Sequence, residues 1–388
     1  MRRDIIARHL ETSLRQSLDA PTLRVVELRG RRPPEDERRE PWITVKYGPA
    51  SADDWFGVVP AEARFERGPG TPVETLPLVV KINPGPGVAR TLIPWIVEQQ
   101  KIAFDRPYWA YRCAAEMDQT GPRESALYTH TNTVPSVRRV LPRCYGVAAD
   151  EAGGEFVLFL EFVTDAARLD ATGAFADWPM EAIDAAVRAA AGWHAAFWGI
   201  GAEAAAWMGP RVTTSDMLAD EKLWRGLLDA ARARFPDIVT EAAWRRRHAL
   251  IETIADWHPT KDHFPATLAH NDFNQRNVGF RPDALVLDWE LVTHNVAHRD
   301  LVEMLTFVLP PDVERTQVER HVEAHRAALV EAGIPGIDRD AWIELFRCEI
   351  KVEAINRIAL QLLFGMQFPL DYLARINATI ERLLDLYG

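Results

Sequence analysis

The sequence predicts an α+β protein of two lobes, a small antiparallel β-sheet lobe over residues 1–163 and a larger, mostly helical lobe over 164–388. Three observations carry this. The 388 residues are 47% hydrophobic and 26% charged, the make-up of a globular chain long enough for two lobes and a sizeable core. Short β-rich runs at residues 42–47 (WITVKY), 56–65 (FGVVPAEARF) and 76–82 (LPLVVKI) crowd the first part. After Thr164 alanine-rich patterns with helical spacing take over and strands almost vanish, which marks the lobe boundary.

Taken in order, a first helix is expected over 3–18, where Ile5, Ile6, Leu10, Leu14 and Leu18 recur at helical spacing, and a first strand from Thr22. Residues 30–41, GRRPPEDERREP, read as a charged, proline-bearing loop. The three β-rich runs follow, and then a strongly apolar strand over 155–163 after the turn at Gly153 and Gly154. Helices are expected over 180–198, about 215–230 and about 238–256, and, further on, over 312–332, 339–364 and 370–386.

Between the two groups of helices lies LAHNDFNQRNVGFRPDALVLDWE, residues 268–290. It sets His270, Asp272 and Asn277 in the spacing HxDxxxxN, makes a short turn, and delivers Asp288 at the end of an apolar run. Phosphoryl transfer from a nucleotide asks for such a set: a carboxylate to take the proton of the attacking hydroxyl, and oxygen ligands to hold magnesium on the phosphates. Asp272 suits the first role, Asn277 and Asp288 the second, because Mg2+ accepts few protein ligands beside phosphate and water. A calcium loop opening at Asp272 is disfavoured, since its sixth position is Asn277 where glycine is needed and its twelfth is Asp283 where glutamate is needed. The bland reading, in which His270 and Asp272 cap a turn and Asp288 ends a strand, leaves the full pattern unexplained.

These residues resemble the aminoglycoside phosphotransferase and choline kinase-like family, including its ecdysteroid kinase-like branch, relatives of the protein kinases: HNDFNQRN stands where such enzymes carry HGDxxxxN, and LDWE where protein kinases carry DFG. The resemblance implies a protein-kinase-like fold and transfer of the γ-phosphate of ATP or GTP to a hydroxyl of a small acceptor. His270 would brace the loop without titrating. Lys81, in LVVK, is similar to the lysine that binds the α- and β-phosphates, with Glu124 or Glu116 as the helix glutamate that fixes it. The turn at 48–55 would cover the phosphates, Ser51 adding a hydroxyl, although it lacks the family's glycines. Backbone groups around Glu161 to Val163 would pair with the purine edge. His194 would hydrogen-bond beneath the catalytic loop. Asp300 would support that loop while opening a helix as its N-cap. Glu290, Glu349 and Glu353 are candidates for acceptor binding; Glu349 and Glu353, one turn apart, would suit a substrate ammonium.

The formal charge of −11 disfavours a nucleic-acid partner and suits a cationic acceptor of the aminoglycoside type. No segment approaches the length of an apolar membrane span and the start has no apolar export signal, so a cytoplasmic, membrane-free protein is expected. Cys113, Cys144 and Cys348, odd in number and far apart, predict buried thiols instead of disulfides or zinc ligands. Two rival functions are a catalytically inactive kinase-fold nucleotide- or ligand-binding protein, and a protein kinase, against which HND in place of HRD and the lack of an APE segment both count.

Overall fold

The computed structural model describes residues 1–31, 54–150, 154–167 and 178–388, the side chain of Asp150 apart. The chain forms two compact units: the first comprises Met1–Val88, Gln119–Thr133 and Leu141–Ala166, the second Ala89–Asp118, Val134–Val140 and Ala167–Gly388.

In the first unit, helix α1 (Arg3–Ser17) precedes strands β1 (Arg24–Gly30), β2 (Gly57–Glu66) and β3 (Glu74–Pro84). Strands β4 (Cys144–Asp150) and β5 (Glu155–Glu161) complete a five-stranded sheet of order β1-β2-β3-β5-β4, antiparallel at every pairing. Side chains alternate across a strand, so Leu78, Val80 and Ile82 of β3 face one way, into a core shared with Ile6, Leu10 and Leu14 of α1 and Val59 and Phe65 of β2. Lys81 and Asn83, on the alternate positions, face the other way and are nevertheless buried. The strand expected over 42–47, and Ser51 with most of the 48–55 turn, lie outside the described residues.

Two longer helices come from the stretch between β3 and β4, besides the single turn Pro135–Arg138. Helix α2 (Ala89–Gln99) belongs to the second unit and α3 (Thr120–His130) to the first. Helix α3 lies close on the sheet at Gly121, where a Cβ would stand 2.9 Å from the carbonyl oxygen of Pro84; only glycine permits that approach.

The second unit is mainly helical. Helices α4 (Met180–Ala196), α5 (Glu221–Arg234) and α6 (Glu241–Glu252) precede two short antiparallel pairs. In these, β6 (Thr267–Ala269) pairs with β9 (Thr293–Asn295), and β7 (Val278–Arg281) with β8 (Asp283–Val286). Then follow α7 (His298–Val308), α8 (Arg315–Glu331), α9 (Arg339–Ile355), α10 (Arg357–Gly365) and α11 (Leu373–Tyr387). Every residue of α7 is buried, so the other helices of the unit are built around it.

Three expected helices are broken in the structure, that over 238–256 at Thr253, between Glu241–Glu252 and Ile254–Trp257. That over 215–230 is interrupted at Asp220, whose buried carboxylate accepts the Cys113 amide at 2.7 Å and Arg106 Nη2 at 2.9 Å, bonds that local helical spacing cannot reveal. That over 339–364 is broken at Asn356 (φ −92°, ψ −71°), whose Nδ2 donates to Glu116 Oε2 at 2.9 Å. All three cysteines are unpaired, and Cys113 and Cys348 are buried. Among the described residues no helix is long and apolar enough to cross a membrane.

Candidate active site

The loop between β6 and β7 carries His270, Asp272 and Asn277, and it is fixed from beneath by Asp300 of α7. The Asp300 carboxylate accepts the amides of His270 (Oδ2, 2.8 Å) and Asn271 (Oδ1, 2.9 Å), and its Oδ2 also lies 3.0 Å from His194 Nε2 and 3.3 Å from Trp193 Nε1. Burial raises its pKa, but these donors outweigh burial and hold it below the ordinary carboxylate value. Asp300 occupies the third position of α7 and caps nothing in its own helix, the N-terminal flank being Ala297. The expected N-cap role is therefore corrected: the side chain serves the loop. Asn271, at φ +63°, makes the left-handed step that turns both amides toward Asp300.

His270 is fully buried. Its Nδ1 accepts the Asp272 amide at 3.2 Å, so Nε2 carries the proton donated to the Leu287 carbonyl at 2.9 Å. Burial pushes its pKa down and keeps this neutral form. One ring thereby joins the loop to the segment that delivers Asp288. A second tie is the Leu287 amide, which donates to the Asn277 carbonyl at 2.8 Å. Trp289, against His270 (centroids 4.5 Å apart) and Trp193 (5.2 Å), packs the junction.

The Asp272 carboxylate takes donors on both of its oxygens. Its Oδ1 accepts Asn274 Nδ2, Arg276 Nη2 and Arg357 Nη2, each at 3.1 Å, and its Oδ2 accepts Asn277 Nδ2 at 2.8 Å. Burial raises its pKa, yet Arg276, Arg357 and His270 together hold it below the ordinary value. Asn277 spends its Nδ2 on the Asp272 side chain and carbonyl, which leaves its Oδ1 as a neutral, hard oxygen donor. Asp288, half-buried at φ +61°, ψ +60°, adds a carboxylate held in a left-handed step. An amide oxygen and a carboxylate fit magnesium, which completes its shell with water and phosphate. Glu290 lies half-buried two residues beyond, in the 3₁₀ turn Trp289–Leu291.

In the first unit Lys81 Nζ lies 2.6 Å from Glu124 Oε2, both groups being buried. Of the two glutamates expected to compete for Lys81, Glu124 on α3 is the one paired with it. Glu116 lies in a 3₁₀ turn, Cys113–Met117, of the second unit. Glu161 ends β5 with its amide already donated to the Arg143 carbonyl at 2.8 Å, so that N–H is not free for a purine edge; Val163 follows beyond the strand, half-buried.

Glu349 and Glu353 correct an expectation. Glu349 is fully buried on the Lys261 ammonium, and Glu353, 1% exposed, is bonded to Arg299. Their charge is neutralised inside the helical core, so neither offers a carboxylate to a substrate ammonium.

Sequence reading missed Arg276, Arg357, Glu303 and Arg299. Arg299 bridges Glu353 and Glu303, and Arg357 reaches both Glu303 (3.5 Å) and Asp272, so a line of alternating buried guanidinium and carboxyl groups ends on Asp272, with burial pushing the Glu303 carboxyl up to about 8. Arg276, four residues after Asp272, was visible in the motif. Arg357, 85 residues away, carried no signal.

A family model described as the phosphotransferase enzyme family matches residues 94–339. The chain belongs to this family, and the protein-kinase-like α+β fold class read from the sequence holds. Solved structures similar to it include the GDP complex of an aminoglycoside 2'-phosphotransferase IIIa mutant, at 13% identity and TM-score 0.46, covering 97% of this chain and 96% of that one. An ethanolamine kinase from Plasmodium vivax matches at 12% identity and TM-score 0.45, covering 84% and 79%. A choline/ethanolamine kinase family protein from Mesorhizobium loti matches at 15% identity and TM-score 0.36, covering 83% and 89%. No curated protein matches the chain by sequence.

Proposed function

We propose that this phosphotransferase is a small-molecule kinase that moves the γ-phosphate of ATP or GTP to a hydroxyl of a small acceptor. The observation that carries the reading is the joining of Asp272, Asn277 and Asp288 into one framework by His270 and by the Leu287–Asn277 bond. Asp272 meets the acceptor hydroxyl and takes its proton through Oδ2, the oxygen with one nitrogen donor against three on Oδ1. Magnesium, held by Asn277 and Asp288, would supply charge neutralisation on the phosphates. Lys81, kept in place by Glu124, is assigned to the α- and β-phosphates. His270 keeps its proton on Leu287 and holds the loop. Glu290 is kept as a candidate beside the acceptor.

The acidic composition suggested a cationic acceptor, but Glu349 and Glu353 do not support one. The test is incubation with labelled ATP and GTP and a panel of hydroxyl compounds, cationic and not, read by mass spectrometry for a gain of one phosphate. Asp272→Ala lowers turnover by roughly 10²–10⁴, as for a lost general base, while nucleotide binding survives. Unchanged turnover would remove Asp272 from the reaction, and nucleotide binding without any turnover in the wild type would favour the inactive-binder reading.

A further inference from the structure

Arg357 opens α10 directly after the break at Asn356, and the 3₁₀ turn Cys113–Met117 holds both residues: Glu116 Oε2 accepts Asn356 Nδ2 at 2.9 Å, and Met117 Sδ lies 3.7 Å from Arg357 Nη1. The guanidinium is buried, with Nη2 on Asp272 Oδ1. A carboxylate on a loop keeps one orientation when fixed donors hold it, and an unequal share of donors distinguishes its two oxygens. Here three nitrogen donors sit on Oδ1 and one on Oδ2, two of the three belonging to the loop itself, and the Glu303 carboxyl is a further hydrogen-bond partner of the same carboxylate. Arg276 is clamped in its turn, with Nε on Asn274 Oδ1 at 2.9 Å and the guanidinium over the Phe307 and Tyr372 rings at 5.3 and 5.4 Å. Arg357 is the donor that ties Asp272 to the C-terminal helices.

We infer that Arg357 is a positioning residue of the transfer reaction: by holding Oδ1 of Asp272 it presents Oδ2 to the hydroxyl that attacks phosphorus. This rests on the kinase reading. It uses the planar, directional donors that distinguish arginine from lysine.

Water can stand for the acceptor, so hydrolysis of Mg–ATP and Mg–GTP is the assay. The water oxygen bonds to the γ-phosphorus, the bond from that phosphorus to the β–γ bridging oxygen breaks with its electron pair staying on the nucleoside diphosphate, and the water proton passes to Asp272. Arg357→Met keeps the packing volume and lowers kcat by roughly 10- to 100-fold, the scale of a misplaced reacting group, with the nucleotide KM within about twofold. Arg357→Lys keeps part of the rate, and millimolar guanidinium restores part of it in Arg357→Ala, which a merely structural loss would not allow. An unchanged kcat in Arg357→Met, or an equal rise in nucleotide KM, overturns the assignment. A site that bound an anionic group of the acceptor would leave hydrolysis untouched, and that result overturns it too. Absence of nucleotide binding by the wild type, or hydrolysis indifferent to Asp272→Asn, fails the kinase reading instead. Crystal structures of the wild type and Arg357→Met then decide independently of turnover: Asp272 leaving its side-chain orientation supports the inference, and Asp272 unmoved overturns it.

Discussion

Asp300 Oδ2 accepts the backbone amide of His270 at 2.8 Å, and the same carboxylate carries the next amide on its other oxygen. The reactive loop is thus hung by its main chain from a helix with no exposed residue. Asp300→Ala leaves two buried amides and the His194 ring without their acceptor. The expected cost is about 3–5 kcal/mol, the scale for removing one partner of a buried charged network. Urea denaturation of the variant reads it directly. A loss under about 1 kcal/mol would mean that the loop holds its own shape.

The Lys81–Glu124 pair is buried on both sides, so breaking it and deleting it differ. Lys81→Met strands a carboxylate and costs about 3–5 kcal/mol, whereas Lys81→Met combined with Glu124→Leu recovers most of that. Nucleotide affinity separates the two effects: it falls in both variants under the proposed role of Lys81. If the double variant regained stability and also bound nucleotide as the wild type does, Lys81 would be a core ion pair and nothing more.

Why was so much of this site legible, and why was part of it not? His270, Asp272, Asn277 and Asp288 lie within one stretch of sequence, and their spacing reports directly on a loop and the strand after it. Lys81 was legible because LVVK, an apolar run carrying a lysine, resembles the phosphate-binding strand of the kinases; that its side chain lies on the face opposite the core came from the structure. The helix break at Asn356 and the reach of Arg357 to Asp272 depend on a partner 240 residues earlier and on a base 85 residues earlier, and helical periodicity carries no trace of either. Glu349 and Glu353 misled for the same reason. On a helical wheel they are one face, but whether that face meets solvent or a buried lysine and arginine is decided by the tertiary packing.

Asp288 sits at φ +61°, a conformation that aspartate and asparagine tolerate better than most residues. Asp288→Asn therefore keeps fold stability within about 0.5 kcal/mol, and Asp288→Ala costs about 1–2 kcal/mol from the backbone alone. Both variants lose magnesium-dependent nucleotide binding under the proposed metal role. Calorimetric titration of nucleotide with and without Mg2+ checks it, and wild-type binding by Asp288→Asn would take the carboxylate out of the metal site.

Burial holds several histidines neutral: His258 is pushed down to about 4 and His298 to about 3, while His270 and His325 are also lowered. Below the ordinary value of about 6.5 the unfolded chain binds a proton at each of these positions and the folded chain does not. Protons then favour the unfolded state, so the histidines' contribution is full above about pH 6.5 and falls as pH drops toward 4, offset in part by the single Glu303 carboxyl, which burial pushes up to about 8 and which acts in the opposite direction. Each histidine contributes up to about 1.4 kcal/mol per pH unit. Asp272 and Asp300, lowered below the ordinary carboxylate value, stay ionised through this window and add their own loss only at more acid pH. Urea midpoints at pH 7, 6 and 5 should decline progressively. His258 Nδ1 lies 2.8 Å from Thr214 Oγ1, a bond an amide side chain can keep, so His258→Gln flattens the decline while leaving stability at pH 7 nearly unchanged. An identical slope in this variant would assign the acid sensitivity to the other buried rings.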